Sequence, residues 1–510
     1  MKLNQTKILS KDEIETIHAA TLELFETTGI KIDCEDTRKL LQDFGAEIAQ
    51  NSDFVKFSES LVKEQLKKVP NSFKLHGPDG SYSIEINRNN IYFLPIGAPV
   101  KMYDPTKKKS IRKSLLEDTI KQMRIVDQSE HLSCSQIDFW PGDVKYTTIH
   151  TVCMYNWAKN LRKPYGHGVF GKLVSQDSIH MASIIVGGDV ELIKRPRLFG
   201  IFNPTSPLHL PKIMTNGLAV FTKYKQPVVI APEALGGTSA PVTLAGLLTQ
   251  TNAEILGGII LAQIYNPNSP VFYGSVSHTT DMRSGNSAIG AIETGLITTG
   301  IAQLSKFYNI PSRAVAGVTD SKCFDIQNGF ERFLTLMFAA QAGINFITCA
   351  GTYEATLAGA LELTAIDNEL AGMIKRGFEG IEVNEGTIGL EVIKKIATST
   401  QKGISFLGES HTRKYMKKEL FIPKLVDRNR RTSWFKKGAK NIMETATEKV
   451  NEILQNFNEY EISADIDIKL KAYMKEVHER TLEYYMKEEG ISATSITVVD
   501  GVEIKANEKQ

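Results

Sequence analysis

Within four residues, Thr319-Asp320-Ser321-Lys322, the chain places an acid, a base and two hydroxyls. They follow a short apolar run, Ile310 to Val318, and lead into a segment with helical periodicity that starts at Asp325. A strand that carries charged groups to its C-terminal tip and turns at once into a helix is the unit from which α/β enzymes assemble their sites. Two chemistries suit this tip. Lys322, if desolvated, is a Schiff-base nucleophile of the lyase or aldolase kind. Alternatively, Asp320 faces a cationic substrate and Lys322 faces its carboxylate. An ion pair at a strand end is the ordinary fate of such neighbours, and spacing alone leaves the three readings open.

Eight short apolar runs recur, near residues 91–96, 132–138, 165–170, 198–202, 227–231, 270–275, 313–318 and 345–350. Helical patterns separate them, and a last one near Ala360 to Lys375 follows the eighth run. Parallel strands need crossovers of this length, and eight strands each followed by a helix is the count of a closed (β/α)8 TIM barrel. The predicted class is therefore α/β, with an open doubly wound sheet as the alternative. Residues 1–90 read as an N-terminal helical cap with a hairpin: Ser10 and Glu13 form a capping box, and Gly77-Pro78-Asp79-Gly80 marks the turn. Residues 91–376 form the barrel. Residues 377–510 read as a mostly helical C-terminal extension ending in the alternating tail SITVVDGVEIKANEKQ.

Barrel chemistry sits at the C-terminal ends of the strands. The tips read as Tyr92 and Phe93; Gln136, Asp138, Phe139 and Trp140; His167 and Phe170; Phe202 and Asn203; Glu233; Tyr273, Ser275 and His278; Thr319, Asp320 and Lys322; Cys349, Tyr353 and Glu354. Nearly every tip carries an aromatic or an acid, which suits a compact cation held over ring faces; the plain reading is that the rings close the barrel mouth as core. Candidate substrate-binding residues are Tyr92, Tyr103, Phe139, Trp140, Phe202, Glu233, Tyr273 and Tyr353. Asp320, Lys322 and His278 are the candidate catalytic groups.

Composition excludes several classes. Sixty basic residues against 58 acidic ones give a formal charge of +2, so nothing here draws in nucleic acid or anionic lipid. Lysines at 107–109 and arginines at 428–431 read as solvated faces. The five cysteines are far apart with no Cys-x-x-Cys, which argues against a disulfide framework and a zinc site and fits a reducing cytoplasm. No His pair with metal-ligand spacing occurs, so no metal is expected. No apolar run approaches the roughly 18 residues of a membrane helix, and the N-terminus has no apolar leader. The Gly-rich turn ALGGTSAPVTLAG (234–246) lacks both the P-loop lysine and the dinucleotide spacing. A cytoplasmic protein is expected, and apolar outer faces on the terminal helices point to a homo-oligomer.

Several segments together resemble the trimethylamine methyltransferase family: GVTDSKCFDIQNGFE, NFITCAGTYE, ELTAIDNELAGMIKRGFEGI and FLGESHTRKYMKKELFIPKLVDRNRRTSW, with MYDPTKKKSIRKSLLEDTIK and GGTSAPVTLAGLLTQTNAEILGGIILAQIYNPNSPVFYG before them. The resemblance runs from about residue 10 to 455. It implies a barrel that moves a methyl group from a methylated amine to the cobalt of a cognate corrinoid protein, with no cofactor tightly bound to the barrel itself. Archaeal trimethylamine enzymes of the family carry pyrrolysine. This chain has standard residues throughout, so it is similar to the non-pyrrolysine branch, whose substrates are quaternary amines such as glycine betaine, carnitine or proline betaine. A tertiary amine of the trimethylamine type is the alternative.

Overall fold

The computed structural model describes residues 6–491 apart from 96, 108, 109 and 402. The tail from 492 onward, and Lys108 and Lys109 of the lysine cluster, lie outside the described residues.

Eight parallel strands form one sheet: β1 (Tyr92–Pro95), β2 (Ser135–Gln136), β3 (Tyr165–Gly168), β4 (Leu198–Phe202), β5 (Val228–Ile230), β6 (Val271–Ser275), β7 (Ser312–Val315) and β8 (Phe346–Ala350). Each pairs with its sequence neighbour, β8 pairs with β1, and a single parallel bridge from Phe93 to Leu132 closes the ring between β1 and β2. The helices that return the chain are α1 (Leu116–Gln128), α2 (Ile149–Asn160), α3 (Gly171–Val186), α4 (Lys212–Lys223), α5 (Leu244–Tyr265), α6 (Ile292–Phe307), α7 (Ile326–Ala342) and α8 (Leu361–Glu379). This is a (β/α)8 barrel, as the eight apolar runs predict.

Strand register sorts the side chains into two sets, because successive residues face opposite sides. Facing inward are Tyr92 and Leu94, Phe199 and Ile201, Val229, Phe272 and Gly274, Arg313, and Phe346 and Thr348, which share levels across the paired strands. Facing outward against the helices are Phe93, Tyr165, Phe202 and Tyr273, all in the main core.

The hairpin predicted around Gly77–Gly80 pairs Phe73–His76 with Ser83–Ile86. It plugs the N-terminal end of the barrel, where its Leu75, Ile84 and Ile86 pack against Leu94, Phe199, Val229, Phe272 and Phe346. Ring contacts of 5.0 Å (Phe73–Phe272), 4.9 Å (Phe272–Phe346) and 5.2 Å (Phe199–Phe346) make an aromatic floor. Each such pair adds about 1 kcal/mol beyond its buried area. With its lower end sealed in this way, the lumen can open only at the C-terminal end.

Helix α5 corrects one expectation. Its 22 residues are long and apolar enough to cross a membrane by composition, but 78% of its most apolar window is buried inside the protein. It is apolar all round because it is covered all round: the N-terminal helices Lys11–Thr27 and Glu59–Lys67 lie on its outer side, α4 and α6 flank it, and β6 lies beneath. The first of those helices carries the expected capping box, with the Glu13 N–H donating to Ser10 Oγ (3.2 Å) and the Ser10 N–H to Glu13 Oε2 (2.7 Å). It ends at Gly29, whose φ of +78° and approach to the Val55 carbonyl (2.4 Å from where a Cβ would stand) leave room for glycine alone.

The sequence pattern misses a small sheet. Ile30–Ile32 lies between Phe54–Lys56 and His209–Leu210, tying the N-terminal segment to the loop after β4. At the other end of the chain, the helical pattern over 465–489 is two helices, Ala464–Glu479 and Leu482–Glu489, broken at Arg480 and Thr481. They are fastened to the barrel through Asp177 of α3, whose buried carboxylate accepts from His150 (2.8 Å), Tyr473 (2.6 Å) and Arg480 (2.9 Å).

Candidate functional site

The lumen above the aromatic floor is lined by small or polar groups. Gly274 of β6 and Ala231 beyond β5 leave space, and Thr348 of β8 donates to the Ala314 carbonyl (3.2 Å). Gln136 of β2 donates to the Pro95 carbonyl (2.8 Å) and Asn203, beyond β4, to that of Ala231 (2.7 Å). Ile201 and Val276 pack with the lumen cluster yet stay partly exposed, so open space reaches them.

One charged group stands among these residues. Arg313 sits in the middle of β7, level with Gly274 and Phe346, and is only 4% exposed. A guanidinium has five N–H donors; among the described residues, its one hydrogen bond is from Nη1 to the Ser275 carbonyl (3.2 Å). Burial pushes its pKa down to about 10, the charge of Glu233 at the β5 tip works against that fall, and the side chain stays a cation at neutral pH. A buried cation with spare donors is a receptor for an anion.

Across the barrel, after β3, the ring of Phe170 folds over the inward face of Gly168, where a Cβ would come within 2.1 Å of it. Strands β3 and β7 are four apart in either direction around the ring, so this half-buried aromatic face and the guanidinium rise from opposite walls.

The predicted site residues scatter. Tyr92 belongs to the other end of the barrel: it opens β1, and its hydroxyl donates to the Glu85 carbonyl of the hairpin (3.1 Å). Phe202 and Tyr273 point outward into the helix layer, where the Tyr273 hydroxyl donates to Asn252 Oδ1 of α5 (2.7 Å). Phe139 is buried on the outer flank against Met102, Ile125 and Leu361. Trp140 is half-buried, its ring 5.8 Å from that of Tyr146. Phe202, Tyr273 and Phe139 therefore turn away from the lumen, and Tyr92, although inward-facing, is tied to the hairpin at its closed end. Tyr103 and Tyr353 do come together at the C-terminal face, through Phe324, at 4.7 and 5.1 Å. The contacts are edge-on or tilted, and Tyr103 and Phe324 stay partly exposed while Tyr353 is buried.

Of the catalytic candidates, His278 is buried with both nitrogens engaged, Nδ1 with the Val276 carbonyl (2.8 Å) and Nε2 with Ser287 Oγ (2.6 Å). That arrangement ties the loop strand His278–Thr280 to Ser287. Lys322 is exposed and donates to the Asp320 carbonyl (2.7 Å), the reverse of a desolvated nucleophile. Asp320 is half-buried. Its Oδ2 accepts the Gly290 N–H (3.0 Å), and its own N–H donates to Glu331 (2.9 Å). Oδ1 has no partner among the described residues. Burial, aided by the charge of Glu331, raises this carboxyl to about 6. Glu233 is exposed at the rim, its field reaching Arg313.

Arg313 is the residue that tip reading overlooks, because it lies one turn of the strand pleat below the tip. A signal was available: it is the one charge inside the run IPSRAVAGV, and a charge in a strand covered on both faces needs a reason.

A family model described as trimethylamine methyltransferase (MTTB) matches residues 1–481. The chain is 33% identical over 479 residues to a glycine betaine methyltransferase of Desulfitobacterium hafniense (strain Y51), covering 92% of this chain and 97% of that one. It is 30% identical over 473 residues to the trimethylamine methyltransferase MttB of Desulfitobacterium hafniense (strain DSM 10664 / DCB-2), with 92% and 94% covered. Against MttB of Methanosarcina thermophila the identity is 30% over 466 residues, with 91% and 95% covered. Among solved structures, the Methanosarcina barkeri monomethylamine methyltransferase MtmB aligns with a TM-score of 0.45 and 12% identity, over 89% of this chain and 96% of that one.

Proposed function

The chain belongs to the trimethylamine methyltransferase family, and from that premise we propose that it demethylates a quaternary amine bearing a carboxylate, glycine betaine or a close analogue, onto the Co(I) of a corrinoid protein. Arg313 carries the choice of substrate. A tertiary amine such as trimethylamine offers nothing to a buried guanidinium, whereas a betaine carboxylate accepts two of its N–H donors side by side. The 33% identity to a glycine betaine methyltransferase over nearly the whole of both chains supports the same choice.

Chemistry then asks little acid or base of the protein. A quaternary nitrogen makes each methyl electrophilic. The Co(I) electron pair forms the new cobalt–carbon bond, the C–N pair returns to nitrogen, and a neutral tertiary amine leaves without needing a proton. The chain's task is to hold the carboxylate on Arg313, set the cation beside the Phe170 face, exclude water and aim one methyl out of the C-terminal mouth.

The reading is tested by mixing the protein with a Co(I)-corrinoid protein and separate amines. Loss of Co(I) absorbance with one equivalent of demethylated amine is expected for a carboxylated quaternary amine. Turnover of trimethylamine alone would overturn the substrate class.

A further inference from the structure

Beyond its tip, β5 keeps its partner strand. Val228–Ile230 pairs with Val271–Tyr273 of β6, and Leu235–Gly236 pairs with His278–Thr279 in the same register. Between these two stretches the Val276 N–H donates to the Pro232 carbonyl (2.9 Å) and the His278 N–H to that of Ala234 (3.2 Å). The ladder skips no residue, so the alternation of faces runs on through the loop. Ile230 and Ala234 belong to the outer core, whereas Val229 and Ala231 pack with the lumen cluster. Glu233 falls on the lumen face with them, level with Val276 and exposed.

The same register sets Arg313 of β7 one layer lower, level with Gly274, and two strands away from Glu233, about 10 Å across the sheet. Ala231 stands below Glu233 and Gly274 beside Arg313, so the lower layer puts no large side chain between the two charges. The arginine reaches up to the Ser275 carbonyl (3.2 Å), where the charge of Glu233 acts on it. Strand β5 also lies midway around the ring between β7 and β3, and so between Arg313 and the Phe170 face. An acid in that position stands between a receptor for an anion and a receptor for a cation.

Building on the carboxylated quaternary amine of the preceding section, we propose that Glu233 is a specificity-determining residue. Its carboxylate is the counter-charge of the quaternary ammonium, while Arg313 takes the carboxylate of the same molecule. Two protein charges of opposite sign and a zwitterion set head to tail against them leave no charge in the lumen unmatched, and an unmatched one is the costly case. An anion of the same shape without the ammonium meets Glu233 as a like charge and is rejected. Asp320 is the rival carboxyl of the mouth, since its Oδ1 has no partner among the described residues. It follows β7, however, the strand that carries Arg313, and does not lie between the two receptors.

Isothermal titration of the full chain with glycine betaine and with tert-butylacetate, the same shape with carbon in place of the charged nitrogen, tests the proposal without a corrinoid protein. The wild type should bind glycine betaine more tightly by at least about thirtyfold. Glu233→Gln should lower that ratio at least about tenfold, strengthen tert-butylacetate binding and leave the melting temperature unchanged; Glu233→Asp should keep the preference. Turnover gives a second readout. Methyl transfer discharges the nitrogen, so a carboxylate beside it stabilises the ground state more than the transition state. Glu233→Gln should therefore raise KM for glycine betaine about tenfold or more while kcat holds or rises, a split that a distorted site would not give. A ratio that Glu233→Gln leaves unchanged, or a fall in kcat with KM unmoved, would overturn the proposal. So would a collapse of the ratio in Asp320→Asn in place of Glu233→Gln. If Arg313→Met weakens neither acid, the carboxylate receptor itself falls and the proposal with it. If Arg313→Met weakens both while Glu233→Gln leaves the ratio unmoved, that receptor stands and Glu233 alone is excluded.

Discussion

Replacing Arg313 with Met removes the lumen's cation while keeping a side chain of similar length. Arg313 is 4% exposed as a residue and, among the described residues, makes one side-chain hydrogen bond, to Ser275 O at 3.2 Å. Losing a buried, poorly paired charge is neutral or stabilising, so the ligand-free variant should melt at the same temperature or higher. With substrate bound the sign reverses. A charge-assisted bidentate contact removed from a desolvated site costs about 2–5 kcal/mol, which is a factor of about 30 to several thousand in kcat/KM. Arg313→Lys keeps the charge without the planar fork and should fall in between. The assay follows Co(I) oxidation with glycine betaine and with choline, a quaternary amine that has no carboxylate. Arg313→Met should abolish most glycine betaine turnover and change choline turnover by less than about threefold. Equal losses for the two amines would refute the carboxylate role, and so would a large fall in melting temperature, which would make Arg313 a structural residue.

Other consequences are narrower. His167 is buried neutral, with burial first and the nearby charge of His150 second lowering its pKa to about 4 from an ordinary 6.5. The unfolded chain therefore takes up the proton first, and stability should decline as pH falls from about 6.5 to about 4, by up to about 3 kcal/mol. His167→Gln should flatten that stretch of a denaturation-against-pH curve. Tyr273→Phe strands the buried Asn252 Oδ1 and should cost about 1–3 kcal/mol in denaturant unfolding without altering discrimination among amines; a changed preference would return Tyr273 to the site. Lys322→Met should leave kcat/KM within about threefold, and borohydride should trap no substrate adduct on Lys322; a trapped adduct would revive the Schiff-base reading.

The barrel is legible in the sequence because every strand is covered on both faces, so each reads as an uninterrupted apolar run between helical stretches. That same uniformity hides which side of a strand each residue takes. Phe202 and Tyr273 carry no mark that they face the helices, nor Arg313 that it faces the lumen; the parity is set by register with neighbouring strands, a long-range property. Tyr92 is different, since chain direction alone places it at the start of its run and away from the mouth. Phe170 reaches the lumen because Gly168 leaves its ring a place, a contact between residues of one strand end that composition does not announce. The N-terminal segment conceals α5, whose even apolarity is explained only once two helices from residues 11–67 are laid over it. Within the expected helical extension, the helices Glu385–Ile388, Leu390–Ala397, Ser410–Glu419 and Arg431–Lys436 escape notice for the opposite reason: they are short and, among the described residues, bury almost nothing, so they give no stripe to read.

The most direct test of methyl transfer from a carboxylated quaternary amine is a single turnover with glycine betaine deuterated on its N-methyl groups, followed by mass spectrometry of the corrinoid. The account predicts a trideuteromethyl group on cobalt and dimethylglycine retaining the other two labelled methyls. Unlabelled corrinoid in a reaction where labelled trimethylamine does transfer its methyl would contradict it.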